Sequence, residues 1–453
     1  MTNPVAFERP RAKTWLDRAL SVVTDVQPGE GATALLLTLN LFSFFALYYI
    51  LRPVRQSLIL SESGAVAQSY SAAAQALLLL VIVPLYGAFA ARVNRLRLIT
   101  VVIAFFASNL VAFYLLGRAG VRLGVAFYIW LGIFNLMIPA QLWGFANDVY
   151  TSERGRRLFP LVGLGASLGA YVGAQIASAM FGALGPYALM LIAAASLFAC
   201  VGLTFWVHRR ESVGSHHNDR AAASAEQPLG PEGGFQLVLG QRYLLYIALL
   251  IVVLNLVNTV GEFLLASFVE RTAAEMVAAG GPGAPDSTAE WIGGFYGRFY
   301  AHVNLLGLLA QTFLVSRVLK YLGVRGALFV LPLIALSSYG AMVFFPVLTI
   351  VRWAKVLENG TDYSLNNTVR HALFLPTSRE AKYKAKQAID SFFWRAGDLL
   401  QAVVVFFGTW AGLQTSHFAA LNLLFVGIWL VIAVGIAREH RKLTADAVGE
   451  QPA

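Results

Sequence analysis

The chain has 453 residues, of which 58% are hydrophobic and only 13% charged, with a net charge of +10. That composition excludes an ordinary soluble globular domain and predicts a polytopic membrane protein whose first partner is the lipid bilayer. The basic excess then measures an asymmetry among loops and gives no argument for nucleic acid. The single cysteine, Cys200 in an apolar run, excludes disulfides and cysteine-rich metal sites.

The first thirty residues carry no short apolar core with a cleavage site, so no signal peptide is expected. Residues 7–23 read as a basic helix lying on the membrane surface, with Trp15 as its interfacial anchor. Apolar runs follow near 32–58, 66–91, 98–117, 123–147, 158–183, 185–207, 242–269, 293–316, 323–345, 346–376, 388–412 and 416–437. Most reach the roughly 20 residues needed to cross about 30 Å of hydrocarbon. The reading is therefore an all-α polytopic membrane protein with twelve transmembrane helices. Gly185-Pro186 and Pro346 set the two least obvious boundaries.

Residues 208–240 are small, polar and contain Gly and Pro, as expected of a flexible linker between two six-helix halves. His208, His216 and His217 within it are expected to be solvated rather than metal-bound. The Ala/Gly-rich stretch 271–290 reads as a mobile loop. The domains are then a segment 1–31, bundles 32–207 and 242–437, a linker 208–241 and a tail 438–453. Basic residues crowd the even-numbered connections and both ends, as in Arg92, Arg95 and Arg97, or Arg154, Arg156 and Arg157. By the positive-inside rule both termini are cytoplasmic, and the membrane is a bacterial inner membrane. TSERGRR (151–157) follows the fourth span as TSREAKYK (377–384) follows the tenth, so the halves read as pseudo-symmetric repeats. Both fit a degenerate form of the basic loop of major-facilitator transporters, whose substrate site lies between two such halves.

The tenth span is the least lipid-like. Arg352, Lys355, Glu358, Asn359, Asp362, Asn366 and Arg370 fall within an arc of roughly 120° on a helical wheel. One charge at the bilayer centre costs at least about 3 kcal/mol, so this stripe is expected to face water or a polar ligand. The bland alternative is a charge-paired seam that locks two helices. The first span places Tyr48, Arg52 and Arg55 within roughly 60° of one another, and Pro53 is expected to bend it. Arginine grips phosphate or carboxylate through two parallel bonds; the alternative is that both arginines snorkel to the membrane surface.

The seventh span offers Asn255, Asn258 and Glu262 on one face, in the place that mirrors the first. The eighth has Arg298 and His302 one turn apart; the eleventh has Asp390, Arg395, Asp398 and Gln401, with Trp394 beside them. The fourth ends in Asn147 and Asp148. Gly165, Gly169 and Gly173 superficially resemble a dinucleotide fingerprint, but no strand precedes them and their spacing suits close helix packing. There is no GxxxxGK[ST], so the chain is not by itself an ATP-driven pump, and neither cofactor, metal nor catalysis is expected.

YYILRPVRQSLIL (48–60), LWGFANDVYTSERGRRLFPLVGLGASLGA (142–170) and DYSLNNTVRHALFLPTSREAKYKAKQAID (362–390) resemble the ATP/ADP translocases of plastids and intracellular bacteria. The resemblance implies a major-facilitator-like fold and exchange of ATP for ADP plus phosphate, or carriage of other nucleotides. The family's basic residue at the end of the first span falls on Arg55, its acid in the fourth span near Leu131, and its eleventh-span lysine on Asp398. Those departures bear on which nucleotide is carried.

The leading expectation is thus a secondary transporter of nucleotides or related phosphorylated anions, a monomer working by alternating access. Its expected substrate-binding residues are Tyr48, Arg52, Arg55, Asn147, Asp148, Glu262, Arg298, Lys355, Asn359, Asp362, Arg395 and Asp398. Arg52 or Arg55 is expected to pair with Glu262 when the outer gate closes. Proton-coupled symport of another small anion, with Glu262 or Asp148 carrying the proton, and a non-transporting receptor or assembly subunit are the alternatives.

Overall fold

The computed structural model describes residues 13–22, 24–90, 92–212, 233–280 and 284–449. Most of the linker with His216 and His217, the start of the surface helix, and three residues of the 271–290 loop lie outside the described residues.

Every regular element among the described residues is a helix. In chain order these are α1 (Trp15–Leu20), α2 (Gly31–Glu62), α3 (Gly64–Ala90), α4 (Arg95–Arg118), α5 (Gly124–Val149) and α6 (Ser152–Ser212). After the linker come α7 (Gly234–Gly240), α8 (Arg242–Ala279), α9 (Thr288–Leu309), α10 (Val315–Ala327) and α11 (Val330–Phe344). The chain ends with α12 (Leu348–Thr361), α13 (Asn367–Ala372), α14 (Lys386–Ala388), α15 (Trp394–Trp410) and α16 (Thr415–Gly449). Turns of π-helix at 310–314, 362–366, 381–385 and 389–393 join α9 to α10, α12 to α13 and the pieces leading to α15.

Eight helical stretches among the described residues are long and apolar enough to cross a membrane. The chain is an integral membrane protein. The sequence boundary at Gly185 coincides with a glycine at φ +68° inside α6, and Gly323 at φ +65° breaks α10 in the same way. Pro346 lies in the turn between α11 and α12. The tenth span is interrupted: its π turn begins at Asp362, and such turns concentrate where side chains must be re-aimed. Helix α2 continues through Pro53, which has no N–H to bond the Tyr49 carbonyl.

The glycine stripe in α6 packs as its spacing predicts. A Cβ at Gly165, Gly169 or Gly173 would overlap the carbonyl oxygens of Thr38, Phe42 and Ala46 on α2. Small residues at four-residue intervals let the two backbones approach to van der Waals contact, which drives association where lipid offers no hydrophobic force.

Before α2, Thr14 and Asp17 form a reciprocal cap on α1. Asp17, 1% exposed, also accepts from the backbone N–H groups of Gly29 (3.1 Å) and Gly31 (2.9 Å), tying α1 to the start of α2. Burial alone would raise its pKa; the bonds from Thr14, Gly29 and Gly31 prevail and hold it at about 2. Glu30 receives Arg154 at 3.3 Å and Arg157 at 3.0 Å, so the basic loop TSERGRR is fastened to the chain entering α2. Burial opposes ionisation of Glu30 too, and the Arg157 guanidinium with the Gln27 N–H wins, keeping its pKa below the ordinary value.

Residues before and after the linker are tied mainly at one end of the bundle. Ser57 donates to the Ala289 carbonyl (2.6 Å), the Ala65 N–H to Glu270 (2.8 Å), and Gln401 to Ser69 (2.8 Å). The deepest cross-contact of the opposite half is Asn304 to the Ala170 carbonyl at 3.1 Å. The first three ties lie beyond residue 56, and the Asn304–Ala170 contact is level with Phe42 and Ala46 on α2, so none reaches the first turns of α2. The space between the segments therefore opens toward the end that carries Gly31 and Arg242.

Candidate functional site

Below those contacts lies a cavity of about 180 Å³, open to solvent. Its walls come from α2 (Arg52, Arg55, Gln56), α3, α5 (Tyr128), α8 (Asn258, Glu262), α9 (Tyr300), the π turn at Tyr363, and α15 (Trp394, Arg395, Asp398, Gln401).

Arg52 and Arg55 stand one turn apart on α2, and neither reaches a carboxylate at ion-pair distance among the described residues. Aromatic rings hold them instead. The Arg52 guanidinium lies 4.1 Å from the centre of the Tyr300 ring and 5.2 Å from Tyr49, and donates to the Tyr49 hydroxyl at 3.2 Å. Arg55 lies 4.2 Å from the Tyr128 ring. The Nε atoms of both arginines are buried without a hydrogen-bond partner. Ring faces attract a cation without taking up its N–H groups, and beyond the bonds from Arg52 Nη1 to the Tyr49 and Tyr363 hydroxyls the remaining N–H groups are available to an anion. The snorkelling alternative is not what the structure shows, because both residues line the cavity.

The acids are occupied. Lys355 is fully buried and its ammonium lies 3.2 Å from Glu358 and 3.6 Å from Glu262, while donating to Asn258 Oδ1 (2.8 Å) and the Asn258 carbonyl (3.3 Å). Asn359 donates to Glu262 at 2.9 Å and Tyr339 to Glu358 at 2.8 Å. Gly261 makes room for this cluster, since a Cβ there would overlap the Tyr339 hydroxyl. Asp398 receives Arg395 at 3.3 Å and Asn255 at 2.8 Å.

Of the twelve residues expected to bind substrate, Arg52, Arg55, Glu262, Arg395 and Asp398 line the cavity. Lys355 and Asn359 are buried behind the wall, Asn359 reaching it through Glu262 and Lys355 through Glu262 and Asn258. Asp362 is 7% exposed and accepts from Asn366 at 2.6 Å, so it serves its own helix. Tyr48 is also 7% exposed and stacks on Phe44 in the core. Asn147 and Asp148 are exposed at the end of α5, and Arg298 is exposed on the outer face of α9; none of the three is a wall residue. The expected ion pair between Arg52 or Arg55 and Glu262 is absent although the segments are joined at that end, because Lys355 and Asn359 hold Glu262.

Sequence reading missed the tyrosines. Tyr128, Tyr300 and Tyr363 come from three distant stretches and only the fold sets them around the arginines. Tyr300 alone had a signal nearby, two residues from Arg298, yet the tyrosine and not the arginine reaches the cavity.

No protein-family profile matches the chain. It is 22% identical over 378 residues to ADP,ATP carrier protein 2 of Chlamydia pneumoniae, covering 71% of this chain and 67% of that one. Against ADP,ATP carrier protein 4 of Rickettsia bellii it is 21% identical over 359 residues, covering 68% and 65%. The chain is a distant relative of the bacterial ADP,ATP carrier proteins. Among solved structures, the nucleoside transporter NupG superposes with a TM-score of 0.63 at 12% identity, covering 89% of this chain and 98% of that one. A bacterial homologue of the iron transporter ferroportin, in an inward-facing state, gives 0.62 at 15% identity, with coverages of 89% and 98%. The chain shares the fold of these neighbours.

Proposed function

We propose that the protein carries nucleotides or similarly phosphorylated anions across a bacterial inner membrane by alternating access. The observation that carries this reading is the pair Arg52 and Arg55, set in a cavity whose two carboxylates, Glu262 and Asp398, are held by Lys355, Asn359, Arg395 and Asn255 instead. Burying unpaired charge is expensive, so such a pair is poised for an anion that supplies the missing charge. Two guanidiniums one helical turn apart suit a phosphate chain, and Trp394 or the cavity tyrosines offer faces on which a base stacks. The names of the carrier relatives point the same way.

In this reading twelve spans form two six-helix bundles, 32–207 and 242–437, obtained by dividing α6 at Gly185 and α10 at Gly323, joining the first part of α10 to α9 and the rest to α11, and counting α12 with α13 and α14 with α15 as single interrupted spans. The loop basic residues support cytoplasmic termini, and with that orientation the cavity described above is inward-open. Substrate is held at the bundle interface, and exchange follows when ligand stabilises the occluded state. Arg395 restores a basic group beside Asp398, where the family resemblance expects lysine, and Leu131, buried where the family has an acid, removes a negative charge from the first bundle. Both changes make the site a modified version of the carriers' site, and uptake of labelled nucleotides identifies the base and phosphate count it accepts.

One observation favours a second reading. A single ammonium, Lys355, serves two carboxylates, Glu262 and Glu358, and such a triad has room for one proton. The two readings separate in proteoliposomes: uptake that requires internal nucleotide supports exchange, and uptake driven by an imposed pH gradient alone supports proton symport.

A further inference from the structure

Arg298, displaced from the cavity, belongs to a second basic cluster that the transport reading does not use. The Arg352 guanidinium lies 5.7 Å from the Phe295 ring and 5.3 Å from the Trp353 ring, and its charge repels that of Arg298 nearby. His302 packs edge-on against Trp353 at 5.1 Å, with its Nδ1 against the Arg298 carbonyl. Neither arginine has an acidic partner among the described residues, and the Arg352 Nε is buried without a hydrogen bond.

The cluster faces outward. Arg298 is exposed, and Trp353 and Leu357 on the same side of α12 are 45% and 49% exposed. Its depth follows from the register of α9 against α12. Phe295 meets Arg352, His302 meets Trp353, and Leu306 meets Gly360, so the two helices run in the same direction. Arg298, one turn before His302, therefore lies level with the first turn of α12, which starts at Leu348. Phe344, Phe345 and Val347, all more than half exposed, surround that turn. Trp353, one turn further on and 45% exposed, is the side-chain type that gathers at the head-group level of a bilayer.

Two repelling arginines on a lipid-facing surface, with no acid, lack a counter-charge that the chain itself does not supply. We propose that Arg298 and Arg352, framed by Phe295 and Trp353, form a surface site for the phosphate of an anionic phospholipid at the head-group level. The guanidiniums take the phosphate oxygens, and Trp353 and Leu357 lie along the first part of an acyl chain. The site requires only that the chain spans a membrane, so it stands independently of the nucleotide.

The test is native mass spectrometry of the full-length protein in detergent, titrated with phosphatidylglycerol, phosphatidylcholine or inorganic phosphate. The wild type should retain phosphatidylglycerol at least tenfold more tightly than phosphatidylcholine, and Arg298→Gln with Arg352→Gln should remove that preference. Replacing both by lysine should keep part of it. Equal retention by the glutamine variant, or equal binding of the two lipids, would overturn the site as mere snorkelling. Displacement of the lipid by millimolar inorganic phosphate would overturn the lipid assignment in favour of a soluble anion. Should the glutamine variant not fold, quenching by brominated phosphatidylglycerol of the fluorescence that Trp353→Phe removes decides it in otherwise native protein. Quenching there supports the site, and quenching no greater than with brominated phosphatidylcholine refutes it.

Discussion

Replacing Lys355 by methionine probes the most tightly connected polar cluster in the chain. Methionine keeps the volume and removes an ammonium held 3.2 Å from Glu358, 3.6 Å from Glu262 and 2.8 Å from Asn258 Oδ1. The two acids do not suffer alike. Glu262 is 24% exposed on its side chain, borders the cavity and keeps Asn359, so water compensates much of its loss. Glu358 is 3% exposed and retains only the Tyr339 hydroxyl at 2.8 Å. Breaking a buried pair from one side typically costs about 3–5 kcal/mol, and most of it should fall on Glu358. A second change, Glu358→Gln, removes the stranded charge and should recover about half of the loss. The assay is the unfolding midpoint of purified protein in mild detergent for the wild type and the single and double variants. A single variant as stable as wild type, or a double variant no more stable than the single, would refute the claim that Lys355 neutralises Glu358.

Gly169→Ala should destabilise the protein by about 1–3 kcal/mol, as overpacking against backbone does, because the new methyl meets the Phe42 carbonyl; the same midpoint measures it. Asp17→Asn should loosen α1, since the carboxyl stands at about 2 against an ordinary value of 3.8. The loss at neutral pH should be about 1–2 kcal/mol, below the full worth of that shift because water beside the chain surface screens part of it. The sign follows from the depression: the contribution is complete above about pH 4 and is lost as pH falls toward 2, with Glu30 losing its own in the same direction. Proteolysis of the region before Gly31 as a function of pH reads this out, and wild-type acid sensitivity in Asp17→Asn would contradict it. Trp394→Ala should weaken nucleotide binding more than binding of inorganic phosphate if the indole stacks the base, by about 1–3 kcal/mol; equal losses would place the base elsewhere.

The membrane class was legible because composition alone carries it, and the glycine stripe was legible because four-residue spacing has one packing consequence. Arg52 and Arg55 were legible from helical spacing as a basic pair on one face, and both line the cavity. What failed was the choice of neighbours. Helical periodicity says that Lys355, Asn359 and Asp362 share a face, yet it does not say that Glu262 from α8 intervenes between that face and the cavity. Arg298 has the right residue type within a span, and only the packing of α9 on α12 turns it outward. The twelve-span count depends on divisions at Gly185 and Gly323, where helix geometry breaks without a polar loop to mark it.

The central claim is that Arg52 and Arg55 hold the phosphates of a transported nucleotide. It is tested most directly by uptake of labelled ATP and ADP into proteoliposomes preloaded with either nucleotide, for wild type, Arg55→Ala and Arg55→Lys. The account predicts counterflow in the wild type, none in the alanine variant with an unchanged unfolding midpoint, and partial activity with lysine, which keeps the charge and loses the fork. Wild-type counterflow from Arg55→Ala would contradict it.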